Sequence, residues 1–403
     1  MKICVVASTY PRSDADTAVP WLRKHVQMLS ERGNEVTVFA PAFHGSTDHE
    51  IDGVRVVRFR YASANREDLT HDSGAPTKIR KFSYLASSFL YIANGWLILL
   101  RLQRRERFDV IHVHWPFPHA LFLPGVSLLG KPSVVLNFHG AELLLARKFP
   151  FVNPVLRWAC RRADSLITNS SFTAGKVKQL TDKHVNVVPY GCPIEAKPAK
   201  KNPDQPMLLF VGRLIERKGV EYMLEALPTV LNTVHARVVI VGSGDLKEDL
   251  VRKASSLGLK DKVEFQSDIS PDVLAEIYRQ STVFCLPAIF DSRGDTEGLG
   301  VVLVEAISFG CAVVASNVGG IPDVIVHGRT GLLVPEKNVR ELAKSLIDLL
   351  TDSHLRDRLT RGALEHVKTE FSWDTVVSKT ETIYAKDRRH KPALVTRPEG
   401  VSA

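Results

Sequence analysis

Cysteine is scarce in this chain of 403 residues: Cys4, Cys160, Cys192, Cys285 and Cys311 are the five present, and no two stand in C-x-x-C spacing. That scatter excludes a disulfide frame and a cysteine-based zinc site, and it points to reduced thiols in a cytoplasmic protein. Basic residues interleaved with aromatics are also missing, so nucleic acid ranks last among the polyanionic partners that a net charge of +9 invites. No full G-x-G-x-x-G occurs. Gly242-Ser243-Gly244-Asp245 ends an apolar run but stops short of that pattern and is read as a turn, which argues against an NAD-dependent dehydrogenase. No Asp-x-Asp stands beside a strand end, and His112 and His114 at i, i+2 have no third ligand spaced to complete a metal site, so no metal is expected. The opening run Met1 to Ala7 is too short for a signal peptide and reads as a strand.

What is present is a repeated rhythm. Apolar, β-branched runs at Ile3–Ala7, Glu35–Ala40, Val54–Phe59, Val110–His114, Ser133–Phe138, Ser165–Asn169 and Val185–Val188 alternate with helical material, as in the helix from about Val19 to Arg32 that stops at Gly33. A Pro- and Lys-bearing stretch at 191–205 breaks the rhythm and reads as a linker. Strands then resume at Leu208–Val211, Val238–Val241, Val263–Gln266, Val283–Leu286 and Val313–Ala315. The expected fold is α/β, with two doubly wound, Rossmann-like domains at 1–190 and 206–370. Ligands bind beyond the carboxyl ends of such strands, so a cleft between the domains is the expected site. A helix at 371–386 follows, and the tail 387–403, with little apolar content, is expected to be disordered.

Phe82–Leu100 is a nearly uncharged, aromatic-rich run between Lys78-Ile79-Arg80-Lys81 and Arg101-Leu102-Gln103-Arg104-Arg105. A membrane span there would cut the first sheet in two. The favoured reading is a helix packed on that sheet, with an interfacial helix anchored to an anionic membrane surface by its basic flanks as the alternative.

Chemistry concentrates in the second half. Thr296-Glu297-Gly298-Leu299-Gly300-Val301-Val302-Leu303-Val304-Glu305 carries an acid at each end of an apolar run, and buried carboxylates need polar partners. Gly298 and Gly300 permit close approach of a ligand, and the run after them reads as a helix whose free N–H groups can hold a phosphate. Two acids flanking that phosphate suit the hydroxyls of a nucleotide sugar, on the transferred sugar and on the ribose. Upstream, Gly212-Arg213-Leu214-Ile215-Glu216-Arg217-Lys218-Gly219 offers Arg213 as a planar fork and Lys218 as a point charge for a diphosphate. In the first half, Phe138-His139-Gly140 places His139 just past a strand, where a lone histidine is more often structural than catalytic.

The Glu297–Glu305 spacing resembles the E-x7-E motif of retaining glycosyltransferases of family 4, and Gly212–Gly219 resembles that family's G-R-x-x-x-x-K-G. Val318-Gly319-Gly320-Ile321-Pro322-Asp323 and Gly328-Arg329-Thr330-Gly331 resemble family strings as well. The resemblance implies the GT-B architecture, with the helix at 371–386 crossing back to the first domain, and transfer of a hexosyl group from a nucleotide diphosphate sugar without a metal or other cofactor. It implies Glu297, His139, Arg213 and Lys218 as catalytic residues, with Glu297 and His139 positioning the sugar. It implies Gly212, Arg213, Lys218, Ile269, Gly298, Leu299, Gly300 and Glu305 as donor-binding, with Glu305 on the ribose. The implied acceptor is a glycan or lipid-linked hydroxyl in envelope or exopolysaccharide assembly. Two departures touch the acceptor loop and the nucleobase pocket: Asp16-Thr17-Ala18 replaces a common Gly-Gly, and Gln266-Ser267-Asp268-Ile269 stands where many members have glycine. A sugar-nucleotide 2-epimerase and a non-catalytic nucleotide-sugar-binding protein are the rival readings. Product NMR without an acceptor separates the first, and donor hydrolysis the second.

Overall fold

The structure, a computed structural model, describes all residues other than 17, 71–81, 193–197, 199–204 and 390–403. Most of the expected linker at 191–205 and tail at 387–403 therefore lies outside the described residues, as do Thr17 and the flank Lys78 to Lys81. The chain divides into two compact units. The first comprises Met1–Thr168, Ala174–Val188 and the chain from Val377 on, and the second Asn169–Thr173 and Pro189–Val376.

The first unit holds eight described strands: β1 (Lys2–Val6), β2 (Glu35–Pro41), β3 (His49–Ile51), β4 (Val54–Phe59), β5 (Val110–His114), β6 (Ser133–Phe138), β7 (Ser165–Thr168) and β8 (Val185–Val187). Their order is β3-β4-β2-β1-β5-β6-β7-β8, parallel except for β3 against β4. Central strands covered on both faces must be apolar throughout, and Ile3, Cys4, Val5 and Val6 of β1 and Val110, Ile111 and Val113 of β5 are all essentially inaccessible. The β3–β4 hairpin joins β4, an expected strand, to β3, which was not expected. Its turn is Asp52-Gly53 with φ of 52° and 71°, the left-handed pair that a two-residue hairpin turn requires.

Helix Phe82–Glu106 lays Ser87, Tyr91, Leu99, Leu102 and Gln103 into this unit. At Gly95 an added Cβ would lie 2.5 Å from the Phe122 ring, so a close crossing there needs glycine. The segment Tyr84–Glu106 is nonetheless long and apolar enough to cross a membrane, by length and composition. The last helix, Trp373–Arg389, has its first turn in the second unit and the remainder in the first. There Tyr384 Oη lies 2.7 Å from His112 Nδ1, and Glu381 accepts from Arg32 at 3.2 Å and Asn34 at 2.8 Å.

The second unit has six described strands, all parallel: β9 (Met207–Val211), β10 (Arg237–Val241), β11 (Val263–Gln266), β12 (Val283–Leu286), β13 (Ala312–Ser316) and β14 (Leu332–Val334). Their order, β11-β10-β9-β12-β13-β14, is that of a Rossmann sheet. The chain runs outward from β9 to β11, then returns to the other side of β9 for β12 to β14. The order reverses between β9 and β12, where Leu208 sits opposite Val283. Loops leaving the carboxyl ends of those two strands consequently flank the crevice in which such sheets bind ligands. The β9 loop is 212–219 and the β12 loop is 287–300. β14 was not an expected strand; it is three residues long and lies at the edge.

Candidate functional site

Both motif segments leave strands at that switch point. Gly212, at φ 155°, follows β9, and Arg213 behind it is exposed, its guanidinium with no hydrogen-bond or ion-pair partner among the described residues. Glu216–Lys218 then forms one turn of 3-10 helix that turns Lys218 inward to 6% exposure. Gly219 ends that turn at φ 62°, and a Cβ there would stand 1.9 Å from the Pro287 carbonyl oxygen. Only glycine lets the β9 loop pass so close to the start of the β12 loop.

The β12 loop is held by its own Asp291 and by Glu216 of the β9 loop. Asp291 Oδ1 accepts from the N–H groups of Arg293 at 2.9 Å and Asp295 at 2.8 Å, and Glu216 accepts from the Ser292 N–H and hydroxyl, both at 2.8 Å. Gly319-Gly320 packs behind Glu297-Gly298 so tightly that a Cβ on either glycine would stand 2.0 Å from a carbonyl oxygen. Gly320 N–H donates to Glu297 O at 3.0 Å. The loop ends at Gly300, φ 90°, which starts helix Val301–Ser308 without a capping side chain; Leu303 N–H donates to Gly300 O at 2.8 Å, and the N–H groups of Val301 and Val302 are left available. Leu299 is a core residue at 2% exposure, so a donor role for it is confined to its backbone. Ile269 is half-buried against the same core.

Glu297 Oε2 accepts from Lys218 Nζ and from Arg217 Nη1, the latter at 3.1 Å, while Arg217 Nε also lies 3.6 Å from Asp295. Burial alone pushes the Glu297 carboxyl up, but the two cations and their hydrogen bonds outweigh it and hold the group at about 2. Glu305 behaves in the opposite way. It is buried in mid-helix, accepts a 2.8 Å hydrogen bond from Tyr278 Oη, and is pushed up to about 7 by desolvation, against the pull of Tyr278 and of the Lys218 charge. Lys218 thus acts on both acids. Arg217 and Tyr278 were not among the expected site residues. Arg217 stood beside Lys218 in the motif, and only the 3-10 turn shows that both cations serve Glu297. Nothing in the sequence linked Tyr278 to Glu305, 27 positions away.

Glu305 gives a stability test. Its folded value of about 7 lies above the ordinary 4.5, so the native state binds this proton more tightly and the penalty grows as pH rises through that window. Glu305→Gln keeps an acceptor for Tyr278 and removes the titration. Relative to the native protein it should gain between about pH 5 and about pH 8, by on the order of 2–3 kcal/mol at the upper end. Denaturant melts at both pH values check this, and parallel stability curves would refute the assignment.

His139 belongs to the first unit, after β6, as expected. Its imidazole lies against Trp21, Trp115 and His114, with ring centroids 5.0, 4.6 and 5.2 Å away, and burial pushes it down to about 3. It is a neutral ring at working pH. His114 Nδ1 lies 3.0 Å from His139 Nε2, and Glu142 Oε1 accepts from the backbone N–H of His139 at 2.7 Å. His112 and His114 are fully buried, as a strand pair between covered faces should be. Among the described residues no group of three or more His, Cys, Asp or Glu is placed to hold a metal ion. Asp14-Ala15-Asp16 is taken up by arginines, Asp16 with Arg12 and Asp14 with Arg23. All five cysteines are free thiols.

Two parallel-sheet units, the second with paired acids and cations at its switch point, define a glycosyltransferase of the GT-B fold. Family models match both halves: residues 21–196 match Glycosyltransferase Family 4, and residues 193–366 match Glycosyl transferases group 1. The chain belongs to these group 1 glycosyltransferases. It is 28% identical over 371 residues to the GDP-mannose-dependent alpha-(1-6)-phosphatidylinositol monomannoside mannosyltransferase of Mycobacterium tuberculosis, covering 88% of this chain and 90% of that one. An uncharacterized glycosyltransferase of Methanocaldococcus jannaschii is 34% identical over 181 residues, 45% of either chain. Among solved structures, sucrose-phosphate synthase from Thermosynechococcus elongatus superposes with a TM-score of 0.75 at 18% identity, covering 96% of this chain and 98% of that one, which establishes the fold.

Proposed function

We propose that this enzyme moves a hexosyl group from a nucleotide diphosphate sugar to a hydroxyl of a glycan or lipid-linked acceptor, with retention of configuration. The observation that carries the reading is Lys218, buried at the switch point and acting on Glu297 and Glu305 at once. A diphosphate set between the two acids meets this cation, the Arg213 fork and the first N–H groups of helix Val301–Ser308. Glu305 then holds the ribose hydroxyls, and Glu297 and His139 position the sugar. Gly212, Gly298, Gly300, the Leu299 backbone and Ile269 line the donor. A donor and acceptor of this class are named in the mycobacterial relative, a GDP-mannose-dependent enzyme acting on a phosphatidylinositol mannoside.

In the transfer the bond from the anomeric carbon to the diphosphate oxygen breaks, and a bond to the acceptor oxygen forms on the same face. The acceptor proton passes to the departing diphosphate. Negative charge grows on that leaving group, and Lys218 and Arg213, with Arg217 behind Glu297, stabilise it electrostatically as a divalent metal does in other enzymes. No cofactor is assigned. Reduced thiols fit a cytoplasmic enzyme, and a lipid-linked acceptor would bring it to the inner face of an anionic membrane in envelope or exopolysaccharide assembly.

Transfer to an acceptor should therefore proceed in EDTA, and NMR of the product should show the donor's anomeric configuration. Loss of activity on chelation with recovery on Mn²⁺ or Mg²⁺, or an inverted product, would overturn this mechanism.

A further inference from the structure

Helix Phe82–Glu106 buries one side and leaves the other apolar and uncovered. Leu85, Phe89, Leu90, Trp96 and Leu97 are 54, 72, 43, 39 and 37% exposed. At about 100° per residue these five fall within an arc of about 140° on the face opposite the buried Tyr91 and Leu102, over a length of about 18 Å. Single exposed apolar side chains need no explanation, but five on one helix face form a patch of the kind that marks an interaction site. Leu128, 76% exposed, belongs to a segment tied to the same helix, because Trp96 Nε1 donates to Pro124 O and Gln103 Nε2 to Leu129 O, both at 2.7 Å.

The charges beside the patch are of one sign. Continuing along the same face come Arg101 and Arg104, both exposed and neither ion-paired among the described residues, followed by Arg105. The only acid in the helix, Glu106, is already engaged by Arg55 and Arg105. An apolar strip with unpaired arginines at its end complements a surface that is apolar beneath and negatively charged on top, the section of a bilayer containing anionic lipid. Trp96 has the character of residues that settle at that boundary, an apolar body with a polar N–H.

We infer that the outer face of helix Phe82–Glu106, with Leu128, is a docking surface on which the enzyme lies on anionic lipid bilayers without crossing them. This rests on the membrane-bound acceptor reading for its purpose, but the face binds lipid whether or not donor or acceptor is present. Membrane docking and donor binding can therefore fail separately.

The test is flotation of the whole protein with vesicles of phosphatidylcholine alone and of phosphatidylcholine with phosphatidylglycerol. The native protein should float with the mixed vesicles and much less with the neutral ones, and salt at about 1 M should release it. Arg101→Glu with Arg104→Glu should lower the partition by about tenfold or more. Leu85→Glu with Phe89→Glu should abolish it. Both pairs are at exposed positions, and unchanged circular dichroism and unchanged nucleoside diphosphate binding show that the variants are folded. Equal recovery with both vesicle types, recovery with neither, or full binding by the Leu85/Phe89 variant would overturn the inference. So would sedimentation showing a dimer that the Leu85/Phe89 variant converts to monomer without any vesicle binding, because the face would then be a protein interface.

Discussion

Lys218→Ala should weaken nucleoside diphosphate binding by about 10- to 100-fold, the loss of a charge-assisted hydrogen bond worth roughly 1.5–3 kcal/mol. Transfer should fall further, by about 10²–10³-fold, because charge on the leaving diphosphate grows toward the transition state. Folding complicates the single variant. Lys218 is buried beside Glu297, and breaking such a pair costs about 3–5 kcal/mol by leaving a charge uncompensated. Arg217 remains to absorb part of that cost. The double variant Lys218→Ala with Glu297→Ala removes both charges and should recover part of the lost stability, while diphosphate affinity stays low. If affinity returns along with stability, Lys218 is a structural partner of Glu297 and not a ligand of the donor.

The two glutamates should separate in the same experiment. Glu305→Ala loses an acceptor for the ribose and should weaken donor and bare diphosphate alike, by roughly 1.5–3 kcal/mol. Glu297→Ala loses its contact to the sugar alone, so transfer falls by about 10²–10³-fold while diphosphate affinity holds. The structure sharpens the second expectation. Glu297 draws on the charge of Lys218 and Arg217 in the ligand-free protein, so its removal leaves both cations freer to face a phosphate, and affinity for the bare diphosphate should stay level or rise. Glu305 has no comparable effect, since its bonded partner is the neutral Tyr278 hydroxyl.

Much of this was legible because parallel strands are rich in apolar, β-branched residues, in nearly unbroken runs at the sheet centre and in alternation with polar residues toward its edges. Val54–Phe59, Val110–His114, Ser133–Phe138, Val263–Gln266 and Val283–Leu286 were bounded to the residue. The strands that escaped are the short ones at sheet edges, His49–Ile51 and Leu332–Val334, where three residues give too little pattern to separate from a loop. The first was signalled by Asp52-Gly53, a hairpin turn signature that lay unread between two short runs. In the site, Glu297, Glu305 and Lys218 stood out by motif spacing. Their mutual arrangement did not, since Lys218 and Glu297 are 79 positions apart and only the return of β12 to the side of β9 brings their loops together. Tyr278 sits on the buried face of an ordinary amphipathic helix, and Arg217 is one of two adjacent cations in a turn whose geometry composition does not encode.

Calorimetric titration with the nucleoside diphosphate that binds the native enzyme, run in parallel on Glu297→Ala and Glu305→Ala, tests the central assignment most directly. The donor site described here gives undiminished affinity for Glu297→Ala and a loss of about 10- to 100-fold for Glu305→Ala. Equal losses in both variants, or no loss in either, would contradict it.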